Sequence, residues 1–340
     1  MKILVYEYLS ACYDSESCRR SASGFRGDIL LQSLLSDICR LRRVDVTVLR
    51  DPSLPAVRFP GSAHVLSSRR ENAEATIAEY MLKADAIWPV VPESAGVLEA
   101  ASRQILAQRK ILIGSRPDSV MVTASKYQTS KTLERAGVAT VGTYRMGEPL
   151  PEGVSAWVVK PDDGAGCTNT HLFADRHAAL AWIGERDGEQ YVLQPFIHGR
   201  HHSLSLVCAE NKVLMLSFNE QRIVVSDNQL HYMGSTVNGL EDPFHKFREL
   251  ADSVLAAIPG LWGYVGIDFI MSSDGPVVLE VNPRITTSHT GLHDSTGYNP
   301  AQFVLDVLQK GLCKSMEPKR VKPISVDVNA FQDLRPHPAV

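Results

Sequence analysis

The chain of 340 residues lacks the features that would send it to a membrane, a nucleic acid or a disulfide-bonded class. Nowhere do 18 apolar residues run together, so no bilayer-crossing helix is expected. The amino-terminal MKILVYEYLSA carries a lysine, but its apolar run is short and broken by Glu7, so it reads as a first strand and not a secretion signal. A net charge of -3 supplies no basic field to collect nucleic acid or an anionic membrane surface. The six cysteines (Cys12, Cys18, Cys39, Cys167, Cys208, Cys313) form no C-x-x-C pair, which fits reduced thiols and a cytoplasmic compartment better than a disulfide framework. No G-x-G-x-x-G follows KILVYEY, and neither G-x-x-x-x-G-K-[ST] nor G-x-S-x-G occurs. Those absences argue against a nicotinamide fold, a P-loop and a serine nucleophile elbow.

What is present is an ordinary folding composition, 44% hydrophobic and 21% charged, long enough for two or three packed lobes. In the first part KILVYEY, VDVTVLR, DAIWPVV and KILIGS read as strands. They alternate with helical stretches ILLQSLLSDICRLRR, ENAEATIAEYMLKA and AGVLEAASRQILAQR, which predicts a parallel sheet with helices on its faces. From about residue 118 the pattern changes. One helix, SVMVTASKYQTSKTLERAG, is expected to stop at Gly137, followed by strands TVGTYR, AWVVKP and YVLQPF around a glycine-bearing loop and a helix. A strand-rich block then runs through HHSLSLVCA, KVLMLSFNEQRIVV and LHYMGSTV, a helix over 244–258, and the hairpin GYVGIDFIMSSDGPVVLEVNP. The proline-bearing tail after about residue 315 reads as an irregular arm.

The hairpin carries the sharpest chemistry. A three-residue turn at 273–275, with Gly275 in the positive-φ position, sets Asp268 opposite Glu280, whereas a strict two-residue turn would set it opposite Val281. Opposed residues, and residues two apart, share a sheet face, so Asp268, Glu280 and Asn282 converge in the first arrangement. Two facing carboxylates need a counter-charge, and Mg²⁺, held by oxygen ligands and shared with phosphates, is the economical one. Arg284, next on that face, suits phosphate or carboxylate. Taken alone, the pattern also fits a salt-bridged surface hairpin.

Upstream, WVVKPDDGAGCTNT sets Lys160 at a strand end before a loop in which Gly164 and Gly166 let backbone N–H groups approach an anion. Lys126 in TASKYQTSK offers a second cation, or simply an exposed helix lysine. YVLQPFIHG runs from strand to loop, where backbone groups can read a base edge and Phe196 and Ile197 can touch a ring. In SFNEQRIVV, Glu220 and Arg222 occupy alternate strand positions and are candidate substrate contacts, or exposed strand polars. Adjacent His201 and His202 point to opposite faces and lack a third ligand, so they make no metal site.

Taken in order (a lysine, a lysine with a glycine loop, a strand into a linker, D…E-x-N-x-R), these segments resemble the ATP-grasp superfamily of carboxylate–amine ligases over most of the chain. The resemblance implies an α/β and α+β fold: an amino-terminal parallel domain over 1–117, a small lobe with a glycine-bearing lid over 118–198, and a large lobe over 199–340. It implies phosphate contacts from Lys126 and Lys160 and a mobile lid over 162–168, with Asp163, Gly164, Gly166 and Cys167. Gln194, Pro195, Phe196 and Ile197 would line the adenine above Leu279. Asp268, Glu280 and Asn282 would hold Mg²⁺ or Mn²⁺, with Arg284 near the transferred phosphate. Lys160 and Arg284 are the implied catalytic groups. Relatives carry a ribose-binding glutamate in G-x-E-x-S/T, whereas GRHHSLS puts His201 there, a neutral acceptor in place of a charge.

KILVYEYLSA…GDILLQSLLSDICR and EVNPRITTSHTGL further look like the tyramine–glutamate ligase branch of methanofuran biosynthesis, and more distantly like the ligase that joins lysine units in pyrrolysine synthesis. Ser288, His289 and Thr290 would then meet the acceptor. The E-x-N-P-R-x-T-T-S pattern is shared by several specificities. A D-alanine–D-alanine-like or lysine-ligating enzyme and a non-catalytic nucleotide-binding protein stay as alternatives. Implied partners are ATP, a small amino acid and an amine, and by analogy a second copy of the chain, with neither nucleic acid nor membrane.

Overall fold

The computed structural model describes residues 1–7, 22–50, 52, 56, 59–67, 70–164, 166–209, 212–240, 244–311 and 322–328. Cys12, Cys18, Cys313, Ala165 in the glycine loop and most of the tail lie outside them. The first part alternates strand and helix: β1 (Lys2–Glu7), α1 (Ala22–Ile38), β2 (Asp45–Arg50), β3 (His64–Ser67), α2 (Arg70–Lys83), β4 (Ala86–Val90), α3 (Val97–Ala107) and β5 (Ile111–Leu112). The strands pair in parallel in the order β3-β2-β1-β4-β5. The chain thus steps outward from β1, then crosses back to β4, and the order reverses between β1 and β4. Strand alternation sends Ile3 and Val5 against Leu31, Leu34 and Leu35 of α1, and Leu4 and Ile87 against Ile77 and Met81 of α2 and Leu98 of α3. Helix α1 ends earlier than the run ILLQSLLSDICRLRR suggests, and Arg43 takes a left-handed conformation (φ 65°) before β2.

The long helix expected over 119–137 is two. Helices α4 (Pro117–Ala124) and α5 (Lys126–Arg135) are separated by Ser125 in extended conformation, whose hydroxyl accepts from the Gln128 N–H as the cap of α5. Gly137 ends the segment at φ 72°. TVGTYR is not a strand: it makes two isolated bridges, Thr140 to Val278 and Tyr144 to Leu193.

Then come β6 (Trp157–Pro161), β7 (His171–Phe173), α6 (Arg176–Gly184), β8 (Tyr191–Pro195), β9 (Arg200–Ala209), β10 (Lys212–Ser226), β11 (Gln229–Val237), α7 (Phe244–Ala257), β12 (Gly263–Ser272), β13 (Gly275–Asn282), α8 (His289–Thr296), α9 (Pro300–Lys310) and β14 (Ile324–Asp327). Their strands form one curled antiparallel sheet, β13-β12-β9-β10-β11-β7-β6-β8, joined between β11 and β7 only by the pair Gln229–His171. Part of the tail is regular: β14 pairs with β11, beside Gly234. Helix α7 covers one face of the sheet, Phe247 lying 5.6 Å from Phe218 and 4.9 Å from Phe269. Among the described residues no helix is long and apolar enough to cross a membrane.

Candidate active site

A cavity of about 460 Å³ lies between the parallel sheet and the curled sheet. Its floor is set by two irregularities in the strands. The β12–β13 turn holds two residues, Ser273 and Asp274, and not three: Ser272 pairs with Gly275. Regular pairing from that turn would put Leu279 opposite Asp268. A bulge at Leu279 inserts the extra residue, so Asp268 faces Glu280 after all, and Val278 and Val281 both reach the core. Strand β10 uses the same device at Leu216, where pairing with β9 skips one residue and sends Met215 and Phe218 to the same side.

Beyond that bulge the alternation is inverted, and this corrects one expectation. Gln221 and Ile223 line the cavity, while Glu220 and Arg222 do not. Glu220 lies opposite His202, and Arg222 donates to Thr236 Oγ1 (3.3 Å), Ser325 Oγ (3.2 Å) and the Val326 carbonyl (3.0 Å) and pairs with Asp327. The cavity face therefore carries a polar row across four strands: Glu280, Asp268, Ser203 and Asn219. Asn219 Nδ2 donates to Ser203 Oγ (3.2 Å) and Ser205 Oγ (3.1 Å).

Asp268 and Glu280 face each other across the ladder and act on one another as charges. Burial, then the charge of Glu280, pushes the Asp268 carboxyl well above the usual carboxylate range. Burial acts upward on Glu280 too, but Lys126 and Lys160 outweigh it and hold that carboxyl low. Burial and the facing acid favour the protonated form of Asp268, and a cation bound there would displace that proton. Two carboxylates and the Asn282 amide are hard oxygen donors that fit Mg²⁺ or Mn²⁺. Three oxygen ligands leave room in an octahedral shell, which suits an ion shared with phosphates.

The cations come from two strand or helix ends. The extended Ser125 turns Lys126, first residue of α5, inward: it is 7% exposed, not a solvated helix lysine. Its Nζ donates to the carbonyls of Asp162 (3.2 Å) and Gly164 and lies 3.8 Å from Glu280 Oε2. Asp162 fixes the break, accepting from Ser125 Oγ (2.7 Å) and the Tyr127 N–H (2.8 Å). Lys160, near the end of β6, is also buried, and burial followed by the nearby Lys126 charge brings its pKa down to about 8. In the loop beyond, Gly164, Gly166 and Cys167 line the cavity, and Gly166 and Cys167 are left-handed (φ 62° and 61°). Asp163 corrects another expectation: its carboxylate turns away and accepts the Ala95 N–H at 2.9 Å.

Gln194, Pro195, Phe196, Ile197 and Leu279 also line the cavity. The Phe196 N–H is engaged by the Ala156 carbonyl (2.9 Å), and Gln194 Nε2 donates to Thr143 (2.8 Å). His201 lines the cavity and is kept neutral: burial, then Lys160 and His202, lowers its pKa to about 4. His202 faces the other way, against Phe269.

Arg284, which also lines the cavity, meets a group not expected from the sequence. Glu93, just after β4, takes the Arg284 guanidinium in a two-pronged pair, with Nη2 to Oε1 at 2.9 Å, and Nη1 donates to the Ile285 carbonyl (3.1 Å). Ser288 is buried on the cavity wall, but His289 is not on it. Its ring packs between α8 and α1, with Nδ1 2.8 Å from Ser33 Oγ, because the first turn of α8 rotates it away.

The profile described as "ATP-grasp domain" matches residues 123–288, and that described as "pre ATP-grasp 3 domain" matches residues 44–120. The chain is 26% identical over 294 residues to a tyramine–L-glutamate ligase of Methanocaldococcus jannaschii, covering 85% of this chain and 84% of the relative. It superposes on an ATP-grasp superfamily protein of Archaeoglobus fulgidus at a TM-score of 0.71 and 23% identity, covering 95% and 91% of the two chains. It also superposes on an L-amino acid ligase of Bacillus licheniformis at 0.69 and 17% identity, covering 95% and 78%. The chain belongs to the ATP-grasp superfamily, whose members bind ATP, and it is an ATP-grasp ligase.

Proposed function

We propose that the chain joins glutamate, as carboxylate donor, to tyramine or tyrosine, as amine acceptor, on the way to a methanofuran- or methylofuran-type one-carbon carrier. The carrying observation is the facing pair Asp268–Glu280 with Lys126 3.8 Å from Glu280 inside one cavity. The choice of substrates is supported by the ligase of M. jannaschii, whose name gives tyramine and L-glutamate.

In this reading Lys126 and Lys160 meet phosphate oxygens, Gly164 and Gly166 bring backbone N–H groups over them, and Gln194 to Ile197 with Leu279 take the base. His201 accepts a ribose hydroxyl. Asp268, Glu280 and Asn282 would hold Mg²⁺ or Mn²⁺, which when bound offsets charge on the phosphoryl oxygens. A donor carboxylate oxygen attacks the γ-phosphorus of ATP and the bond to ADP breaks, giving an acyl phosphate. The amine nitrogen then attacks the acyl carbon, phosphate leaves, and the nitrogen loses a proton, forming the amide. The buried lysines stabilise the phosphoryl charge and the loop over 162–168 excludes water, so no protein nucleophile is needed. The division at 117 and 198, and pairing of two chains, belong to the same proposal.

A coupled ADP-release assay tests it. ADP should form only when glutamate and tyramine or tyrosine are both present. Equal release with D-alanine or lysine in their place would assign the chain another ligase specificity.

A further inference from the structure

Glu93 and Arg284 lie 191 positions apart in the chain and meet at the cavity wall. A guanidinium carries five N–H donors in one plane. Glu93 takes one edge of that plane, accepting from Nε and from Nη2 (2.9 Å), and the Ile285 carbonyl accepts from Nη1 (3.1 Å). Two donors remain, one on each terminal nitrogen, and among the described residues they make no hydrogen bond. Arg284 lines the cavity and Glu93 does not, although Pro92 and Ser94 on either side of it do. At 7% exposure, Glu93 therefore grips the guanidinium from behind the wall. Its loop is pinned on both sides. The Pro92 carbonyl accepts the Leu98 N–H (3.1 Å), Asp163 accepts the Ala95 N–H (2.9 Å), and Ala95 and Gly96 turn the chain in left-handed conformation (φ 54° and 69°).

Resting on the ligase reading above, in which Arg284 stands near the transferred phosphate, we infer that Glu93 is a positioning residue that holds the two remaining N–H groups of Arg284 toward the oxyanion of the phosphoryl transfer. Two N–H groups on one rigid plane suit a phosphoryl group or a carboxylate only when the plane is held. A guanidinium that is not held turns toward other acids. Asp268 and Glu280 act on Arg284 as charges, more weakly than Glu93 does. Pairing with them would take the fork from the reacting group and cover carboxylate oxygens of the hairpin. Glu93 thus orients Arg284 and keeps it off those acids, without itself touching a substrate.

A double-mutant cycle on steady-state ADP release tests this. Arg284→Lys, which keeps a charge but has no fork, should lower kcat at least tenfold. Glu93→Gln keeps the shape but loses the charge and one acceptor. It should also lower kcat at least tenfold and leave the KM for ATP within twofold. In the Arg284→Lys background, Glu93→Gln should cost less than a further twofold, since no fork is left to aim. Losses that multiply in the double variant would make Glu93 a structural tie between segments and overturn the inference. A normal kcat in either single variant overturns it too, and each of these results leaves the ligase reading standing. Should Glu93→Gln fail to fold, Glu93→Asp goes through the same cycle: a loss of kcat beside Arg284 that vanishes in the Arg284→Lys background supports the role, and an equal loss in both overturns it. ADP released with another donor and amine, but not with glutamate and tyramine or tyrosine, removes the choice of substrates alone, and the cycle is then run on the pair that works.

Discussion

Lys160 is a lysine that loses its charge within an accessible pH range. Burial first and Lys126 second bring its pKa from 10.5 to about 8, so its attraction for phosphate fades as pH climbs through that value. Nucleotide affinity is expected to fall between pH 7 and 9 in the wild type. Lys160→Arg, charged throughout, should flatten that slope in a fluorescent-nucleotide titration, and a slope kept in the variant would assign the titration to another group. The same shift acts on stability in the opposite sense. Between about 8 and 10.5 the unfolded lysine keeps a proton that the folded one has released, so this group favours the folded chain as pH rises. His201, at about 4, stays neutral across that window and contributes no slope.

At the scale of elements, the break at Ser125 aims Lys126. Ser125→Ala removes the cap of α5 and the 2.7 Å bond to Asp162 together. Urea denaturation should show a loss of about 0.5–2 kcal/mol, the ordinary worth of such a cap, and the KM for ATP should rise several-fold as Lys126 loses its anchor. A variant that loses stability with no change in KM would make the break structural only. This element also shows how far the sequence could be read. SVMVTASKYQTSKTLERAG contains no Gly or Pro before its end, so its helical periodicity runs unbroken, and only a capping serine marks the interruption. The parallel strands were legible because they are continuous apolar runs bounded by helices. The bulges at Leu216 and Leu279 were not, because leucine suits either face and alternation cannot count an extra residue. That is why Glu220 and Arg222 were expected in the cavity where Gln221 and Ile223 stand, and why Asp268 meets Glu280 through a turn of different length from the one expected. Glu93 in VVPES reads as an ordinary loop acid until the fold brings it to Arg284.

Across the whole molecule, contacts between segments far apart in the chain build the site. The Glu93–Arg284 pair binds the parallel sheet to the hairpin, and Asp163 binds the glycine loop to the turn at Ala95. The block of β6, β7 and β8 meets the rest of its sheet at Gln229–His171, where the Leu172 N–H donates to the Asn228 carbonyl (2.8 Å) and the Leu230 N–H to the Thr170 carbonyl (3.0 Å). Amide hydrogen exchange at Leu172 and Leu230 is expected to be faster than at Val158 and Leu193 inside the block, and ATP is expected to slow both sites together. Exchange at the two that responds separately to ATP would refute a common motion. Two protons thus act as paired gauges of one swivel: any treatment that loosens the first should loosen the second, without disturbing the ladders on either flank.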